Sequence, residues 1–300
     1  MKFGLSMFGL SPRYYPEIAA AAEANGFESV WIPEHLVLPA EVPPTYLYTD
    51  TGYPPIDSST PMFDPWVVLA TVANATRTIR LATNVYILPL RHPIVTGRAV
   101  VTLDRVSGGR VTLGIGVGWL EDEFLLAGQE FHNRGKRTDE IMGLLRRMWS
   151  RDEDVIEHHG EHYDLAPFRF QPKPVQKPNI PIEVGGSSKA ALRRAGRLGD
   201  GWIEIGAKTP ETLGEMIATV QRHRAEAGRE SVPFEITCGL GRTLDDAKRA
   251  EEMGITRLSL GPAPHGNVLD DPSLPHDRLD VKDFVDFTAR YADEVISKFS

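Results

Sequence analysis

Cysteine is almost absent from this 300-residue chain, with Cys238 the single example. An intrachain disulfide is thereby excluded, and a reducing compartment is the expected setting. Positive charge is short as well: 33 Lys and Arg stand against 41 Asp and Glu, for a formal net charge of -8. Nonspecific nucleic-acid binding and docking on anionic membranes both need basic patches, so neither is expected. No apolar run approaches membrane-spanning length. Met1-Lys2-Phe3-Gly4 leads straight into an apolar strand pattern, without the regions of a secretory leader, so a cytoplasmic protein is expected. Linker composition, internal repeats and low-complexity tracts are also missing, so residues 1–300 read as one domain.

What is present is a regular alternation. Strand-like runs occur at Phe3 to Phe8, Ser29 to Pro33, Arg80 to Tyr86, Val111 to Ile115, Ile180 to Val184, Trp202 to Ile205, Phe234 to Cys238 and Arg257 to Leu260. Helical patterns fill the gaps, among them Pro65 to Ala75, Val95 to Arg105, Thr138 to Trp149, Glu211 to Ala227 and Val281 to Ile296. Alternating β and α units imply a parallel sheet with helices outside, and eight of them predict an α/β fold of the (β/α)8 TIM-barrel type. A doubly wound open sheet is the rival arrangement. Three irregular, proline-rich insertions exceed a minimal barrel: residues 36–62, 151–179 and 263–280. The first and third follow strands, which puts them on the carboxyl face, where barrel enzymes keep their active sites.

The candidate chemistry gathers at strand ends. Gly114-Ile115-Gly116-Val117-Gly118-Trp119 brings bare backbone to the end of a strand, which suits a flat polycyclic ligand; the alternative is a tight turn without one. Glu34-His35 ends the second strand with a residue able to shuttle protons near neutral pH and a carboxylate able to orient it. Asn84 is a poor strand former among apolar neighbours, which predicts a bulge. Gly185-Gly186-Ser187-Ser188 runs from a strand into a helix, so that converging N–H groups and hydroxyls suit a phosphate. One of the serines alternatively does no more than cap that helix, and the two roles are compatible.

Other signals carry less. His158-His159-Gly160-Glu161-His162 matches a zinc spacing, but that spacing needs a continuous helix and Gly160 lies inside it, so no metal is assigned. The glycines of Gly114-x-Gly116-x-Gly118 are one residue short of a dinucleotide fingerprint. Cys238 lies within a strand, where a thiol is inert rather than nucleophilic. Arg146-Arg147 and Arg193-Arg194 read as solvated helix faces.

Taken together, Trp31-x-x-Glu34-His35, Leu103-Asp104-Arg105-Val106-Ser107-Gly108-Gly109-Arg110, Gly116-Val117-Gly118-Trp119 and Gly185-Gly186-Ser187 occur in the order found in bacterial luciferase-like flavin oxidoreductases, which the chain resembles over nearly its whole length. Asp64-Pro65-Trp66, Arg91-His92-Pro93 and Arg134-Gly135-x-Arg137-Thr138-Asp139-Glu140 look most similar to the branch that uses coenzyme F420, a 5-deazaflavin. The resemblance implies a luciferase-like barrel with the cofactor across the carboxyl ends of its strands and His35 beside the redox-active ring. It further implies a non-prolyl cis peptide between Asn84 and Val85 against the cofactor, and a ribityl phosphate held by Gly185, Gly186, Ser187 and Ser188. A homodimer is the family expectation.

Two departures from the sugar-phosphate dehydrogenase branch argue against glucose 6-phosphate as substrate. Trp119 stands where that branch has a glutamate, and Leu36-Val37-Leu38 follow the histidine where it has an aromatic residue. The expected function is hydride transfer between coenzyme F420 and a small, hydrophobic organic molecule, with Arg91, Arg137 and Lys189 available to meet the cofactor's acidic tail. One alternative is an FMN-dependent monooxygenase fed by a separate reductase. The other, from a different class, is a flavin- or deazaflavin-binding protein without turnover.

Overall fold

The computed structural model describes residues 1–206, 209–239, 242–261 and 280–299. Eight parallel strands close into a barrel in the order β1 (Lys2–Ser6), β2 (Ser29–Ile32), β3 (Arg80–Thr83), β5 (Val111–Gly116), β8 (Ile182–Gly185), β9 (Gly201–Ile203), β10 (Glu235–Cys238) and β11 (Arg257–Leu260), which returns to β1. The register runs Leu5 beside Val30, Val30 beside Leu81, and Leu81 beside Val111. This is the (β/α)8 barrel that the alternation predicts. The strand expected at Arg80 to Tyr86 splits at the cis peptide between Asn84 and Val85. Beyond it the two-residue β4 (Tyr86–Ile87) resumes the pairing with β5.

The connecting helices start and stop where local chemistry dictates. In α2 (Pro65–Ala75) the Asp64 carboxylate accepts the Trp66 and Val67 N–H groups at 2.9 and 3.1 Å, and Pro65 supplies a preset first turn. In α3 (Pro93–Ser107) the helix ends on Gly108, whose φ of 70° is the left-handed conformation glycine adopts without strain. The apolar faces of α1 (Tyr15–Ala24), α2, α3, α5 (Arg134–Trp149) and the C-terminal helix Val281–Glu294 join the outer faces of the strands in one continuous core.

The insertions differ in kind. Residues 36–62 contain no helix or strand and lie on the carboxyl face. Residues 151–179 are not wholly irregular: β6 (Ile156–His159) and β7 (Asp164–Phe168) form an antiparallel hairpin. His158 and His159 end β6 and Gly160-Glu161-His162 lie in the turn, where the Glu140 carboxylate faces His158 Nε2 at 2.9 Å and accepts the His162 and Tyr163 N–H groups at 2.9 and 3.0 Å. Of the insertion expected at 263–280, all but Asp280 lies outside the described residues. Among the described residues, no helix is long and apolar enough to cross a membrane.

Candidate active site

At the carboxyl end of the barrel, His35 lies three residues past the end of β2. Its Nδ1 lies 2.8 Å from Glu123 Oε2, and the ring stands edge-on to Trp119 with centroids 6.0 Å apart. Nε2 has no hydrogen-bond partner among the described residues, and the side chain remains 12% exposed. Glu123 comes from the short helix α4 (Glu121–Leu126), whose Phe124 packs into an apolar cluster with Ile87 and Leu90. That packing buries the neighbouring carboxylate, whose Oε1 accepts the Leu36 N–H at 2.6 Å.

Glu34 faces elsewhere. Arg91 grips its carboxylate with two bonds of 2.6 Å, and the Ile87 N–H donates to it at 2.8 Å. Burial pushes the Glu34 carboxyl up, against the pull of Arg91. For Arg91, burial works against the charge, but the bonds to Glu34 outweigh it and move its pKa up. The guanidinium also lies 4.5 Å from the centroid of the Tyr86 ring. Glu34 therefore clamps the segment after the cis peptide, and the carboxylate that orients His35 is Glu123.

The glycines have structural reasons of their own. A Cβ at Gly114 would lie 1.9 Å from the Thr83 carbonyl oxygen, and one at Gly118 would lie 2.6 Å from the Phe124 ring, so both make room for the protein itself. Gly116 and Gly185 share a neighbour: a Cβ at either would lie 2.6 Å from a Val85 methyl. The peptide at Asn84–Val85 thus delivers a small apolar side chain between the ends of β5 and β8, forming a platform inside the mouth. Val117, next in the chain after Gly116, is half-buried.

Next along the rim is the Gly185–Ser188 turn. Gly186 has φ 115°, a conformation that strains any other residue. Ser188 caps α6 (Lys189–Leu198) by accepting the Ala191 N–H at 3.2 Å, and the Ser187 hydroxyl donates to the Ile205 carbonyl. The first turn leaves the Lys189 and Ala190 N–H groups without an intrahelical acceptor, directed at the rim. Tyr48 of the 36–62 segment leans over this turn, 3.3 Å from where a Gly186 Cβ would sit, and against Gly206, where a Cβ would lie 2.5 Å from its ring. Burial raises the Tyr48 phenol, partly offset by a hydrogen bond with the Ser187 backbone. Tyr46 completes a row of rings, 5.3 Å from Tyr48 and 5.1 Å from Trp119, and burial with the help of Tyr48 pushes it to about 12.

The sequence model of the luciferase-like monooxygenase family matches residues 4–261, nearly the whole barrel. The chain belongs to that family. This luciferase-like chain is 38% identical over 250 residues to an uncharacterized protein of Mycobacterium tuberculosis, covering 83% of itself and 84% of the relative. It is 28% identical over 237 residues to the F420-dependent glucose-6-phosphate dehydrogenase of Amycolatopsis mediterranei, covering 77% of itself and 64% of that enzyme. Its fold matches an F420-dependent secondary alcohol dehydrogenase, solved with an F420-acetone adduct, at a TM-score of 0.76 and 18% identity over 99% of this chain and 98% of that one. The Amycolatopsis relative and this structural neighbour are both named as dehydrogenases.

Among the residues singled out in the sequence, His35, Val85, Gly116, Val117, Gly185, Gly186, Ser187 and Ser188 come together at the mouth. Gly118 turns toward Phe124, and Glu34 and Asn84 serve the platform's backbone. Arg91 is committed to Glu34, and Arg137 is buried with bonds to Asn133 Oδ1 and the Pro89 carbonyl, so of the three candidate tail partners only Lys189 remains at the rim. Arg194 is likewise no solvated residue, being buried against Asp139 and the Gly135 carbonyl. Sequence reasoning missed Glu123, Tyr46 and Tyr48. The signal for Glu123 was its place between Leu120 and Phe124, on the buried face of a short helix.

Proposed function

We propose that this chain is a coenzyme F420-dependent oxidoreductase acting on a small, hydrophobic organic substrate. The observation that carries the reading is the His35 ring, fixed by Glu123 and Trp119 at the barrel mouth with Nε2 left open. The residues fit a phosphorylated tricyclic cofactor on two counts. Val85, Gly116 and Gly185 form an apolar platform of the kind a flat ring lies on, and the Gly186–Ser188 turn at the start of α6 offers N–H groups to an anion. Gly185, Gly186, Ser187 and Ser188 would hold the phosphate, and Lys189 would meet negative charge beyond it.

When bound, the deazaflavin supplies hydride acceptance or donation at C5. The chain's own residues orient the partners, exclude water and manage the proton. Trp119, Tyr46, Leu36 and Val37 surround the entrance with apolar surface, which favours hydrophobic substrates over sugar phosphates. His35 Nε2 takes up the proton released when the substrate gives up a hydride, and returns it in the reverse direction.

The test is a pair of absorbance titrations of the purified protein, one with coenzyme F420 and one with FMN, at physiological salt. Coenzyme F420 is expected to bind more tightly. Salt should weaken it only modestly, because Lys189 alone is left of the three basic residues. Equal or tighter FMN binding would overturn the reading in favour of a flavin monooxygenase. Tight binding without turnover of any hydrophobic substrate would favour a carrier.

A further inference from the structure

We infer that Glu123 is the positioning residue of this site, fixing the His35 ring as the tautomer protonated on Nδ1 and leaving Nε2 as the bare nitrogen at the mouth. The inference rests on the reading that His35 works beside the reacting atoms.

The argument is one of donors and acceptors. Glu123 is fully buried, and its two oxygens have separate duties: Oε1 accepts the Leu36 N–H at 2.6 Å, with the Val37 N–H at 3.5 Å, while Oε2 faces His35 Nδ1 at 2.8 Å. A carboxylate only accepts, so the ring must be the donor at Nδ1. A neutral imidazole carries one N–H, and Nε2 is then a lone-pair acceptor. Among the described residues no other carboxylate competes for the ring, since Glu34 is held by Arg91 and the Ile87 N–H. Trp119 sets the ring plane, with an interplanar angle of 85°. The same carboxylate ties down the backbone where the 36–62 segment begins, so ring direction and the root of that segment are fixed by one side chain. A bare Nε2 suits a base that receives a proton as the substrate gives up its hydride. The opposite tautomer would present an N–H to that proton and block its uptake.

The ring can be read directly. In 15N-histidine-labelled protein without cofactor or substrate, long-range proton–nitrogen correlation reports the tautomer of each of the nine histidines, and His35→Gln identifies the His35 signals. The wild-type neutral ring is expected to carry its proton on Nδ1. Glu123→Gln keeps an oxygen for the Leu36 N–H but lets the amide donate to Nδ1, so the proton is expected to move to Nε2. Glu123→Asp remains an acceptor and is expected to keep the wild-type pattern. In turnover, Glu123→Gln should lower kcat about 100-fold or more, because a catalytic histidine held in the wrong tautomer loses its role as a base. KM should change little, and Glu123→Asp should recover part of the loss. A wild-type ring protonated on Nε2, or a tautomer that Glu123→Gln leaves unchanged, would overturn the inference. If Glu123→Gln does not fold, the wild-type and Glu123→Asp spectra still decide. Because the tautomer is read without cofactor, failure of F420 binding would sink the functional reading and leave this one standing.

Discussion

The two ends of this barrel both bury carboxylates, and they treat them oppositely. At the amino end, Glu183 and Arg257 meet inside the barrel at 2.8 and 3.0 Å, and Arg257 also donates to Thr237 Oγ1 at 2.9 Å and Glu28 at 3.1 Å, its guanidinium 5.1 Å from the centroid of the Trp31 ring. Burial opposes the Arg257 charge, but Glu183, Glu28 and Glu235 outweigh it and push its pKa up. Every group there is answered from within. At the carboxyl end, Glu123 is just as buried, but its partner His35 keeps one nitrogen unanswered among the described residues. A closed network gives a plug, whereas a network with one open valence gives a site.

The largest expected effect comes from breaking the plug. Arg257→Met strands Glu183 without its counter-charge, and removing one partner of a buried pair costs about 3–5 kcal/mol. Urea unfolding should register that loss, with cofactor affinity little changed under conditions where the variant is folded. A stability loss within experimental error would mean that the amino end is as open to water as the mouth. Next comes His35→Gln, chosen over alanine because the amide still offers Glu123 a donor. Turnover should fall about 10²–10³-fold, within the range a positioned acid or base contributes. Cofactor affinity should stay within a few-fold of wild type. Near-normal turnover would reduce His35 to a packing residue and erase the contrast between the two ends.

Much of this was legible in the sequence, because the barrel's signals are local. Arg257 to Leu260 and Pro65 to Ala75 have the bounds their patterns predict. The strand-to-helix turn at Gly185–Ser188 was readable for the same reason, since Gly-Gly-Ser-Ser joins a strand to a helix within four residues. What stayed hidden is long-range. Glu34 and His35 are adjacent in sequence and look like a pair, yet successive residues leaving a strand diverge, and the partner of His35 lies 88 positions away. The glycine run misled for a related reason. Gly114 answers the Thr83 carbonyl and Gly118 answers Phe124, neighbours that no spacing reveals. Nor could the 36–62 composition say that Tyr48 would reach across to Gly186 and Gly206.

Gly186 sharpens the comparison within the mouth itself, separating the proposed phosphate turn from the Val85 platform and His35. With φ at 115°, Gly186→Val is strained by about 1–3 kcal/mol. Its Cβ would also press on Ala191 Cβ at 3.2 Å and the Tyr48 hydroxyl at 3.3 Å. Binding of the phosphorylated cofactor should weaken roughly tenfold or more, about 1.4 kcal/mol. A fragment lacking the phosphate should bind nearly as before. Equal weakening of both ligands in parallel calorimetric titrations would mean that the phosphate sits elsewhere, for instance after the seventh and eighth barrel strands as in many barrels.

The smallest effect lies back at the amino end, where Glu23 shows how a carboxylate looks when it serves structure alone. From the end of α1 it accepts the N–H groups of Arg77, Thr78 and Ile79 and the Thr78 hydroxyl, all between 2.5 and 3.1 Å, stapling the turn that leads into β3. Burial pushes its carboxyl up, yet these donors outweigh it and hold it at about 2 against an ordinary 4.5. A carboxyl with a depressed folded pKa stabilises the fold fully above its unfolded value, and that contribution is lost as pH falls through the folded one. Glu23→Gln should therefore unfold more easily than wild type at neutral pH, by about 1 kcal/mol, the size typical of losing a side-chain cap on backbone N–H groups. The gap should hold from neutral pH down to about 4.5 and shrink as pH falls toward about 2. Urea midpoints for both proteins, measured down to the acid limit of folding, check this. A gap independent of pH would show that the Glu23 charge contributes nothing. The staple would then be a matter of shape, and the amino end would owe its stability to the Arg257 network instead.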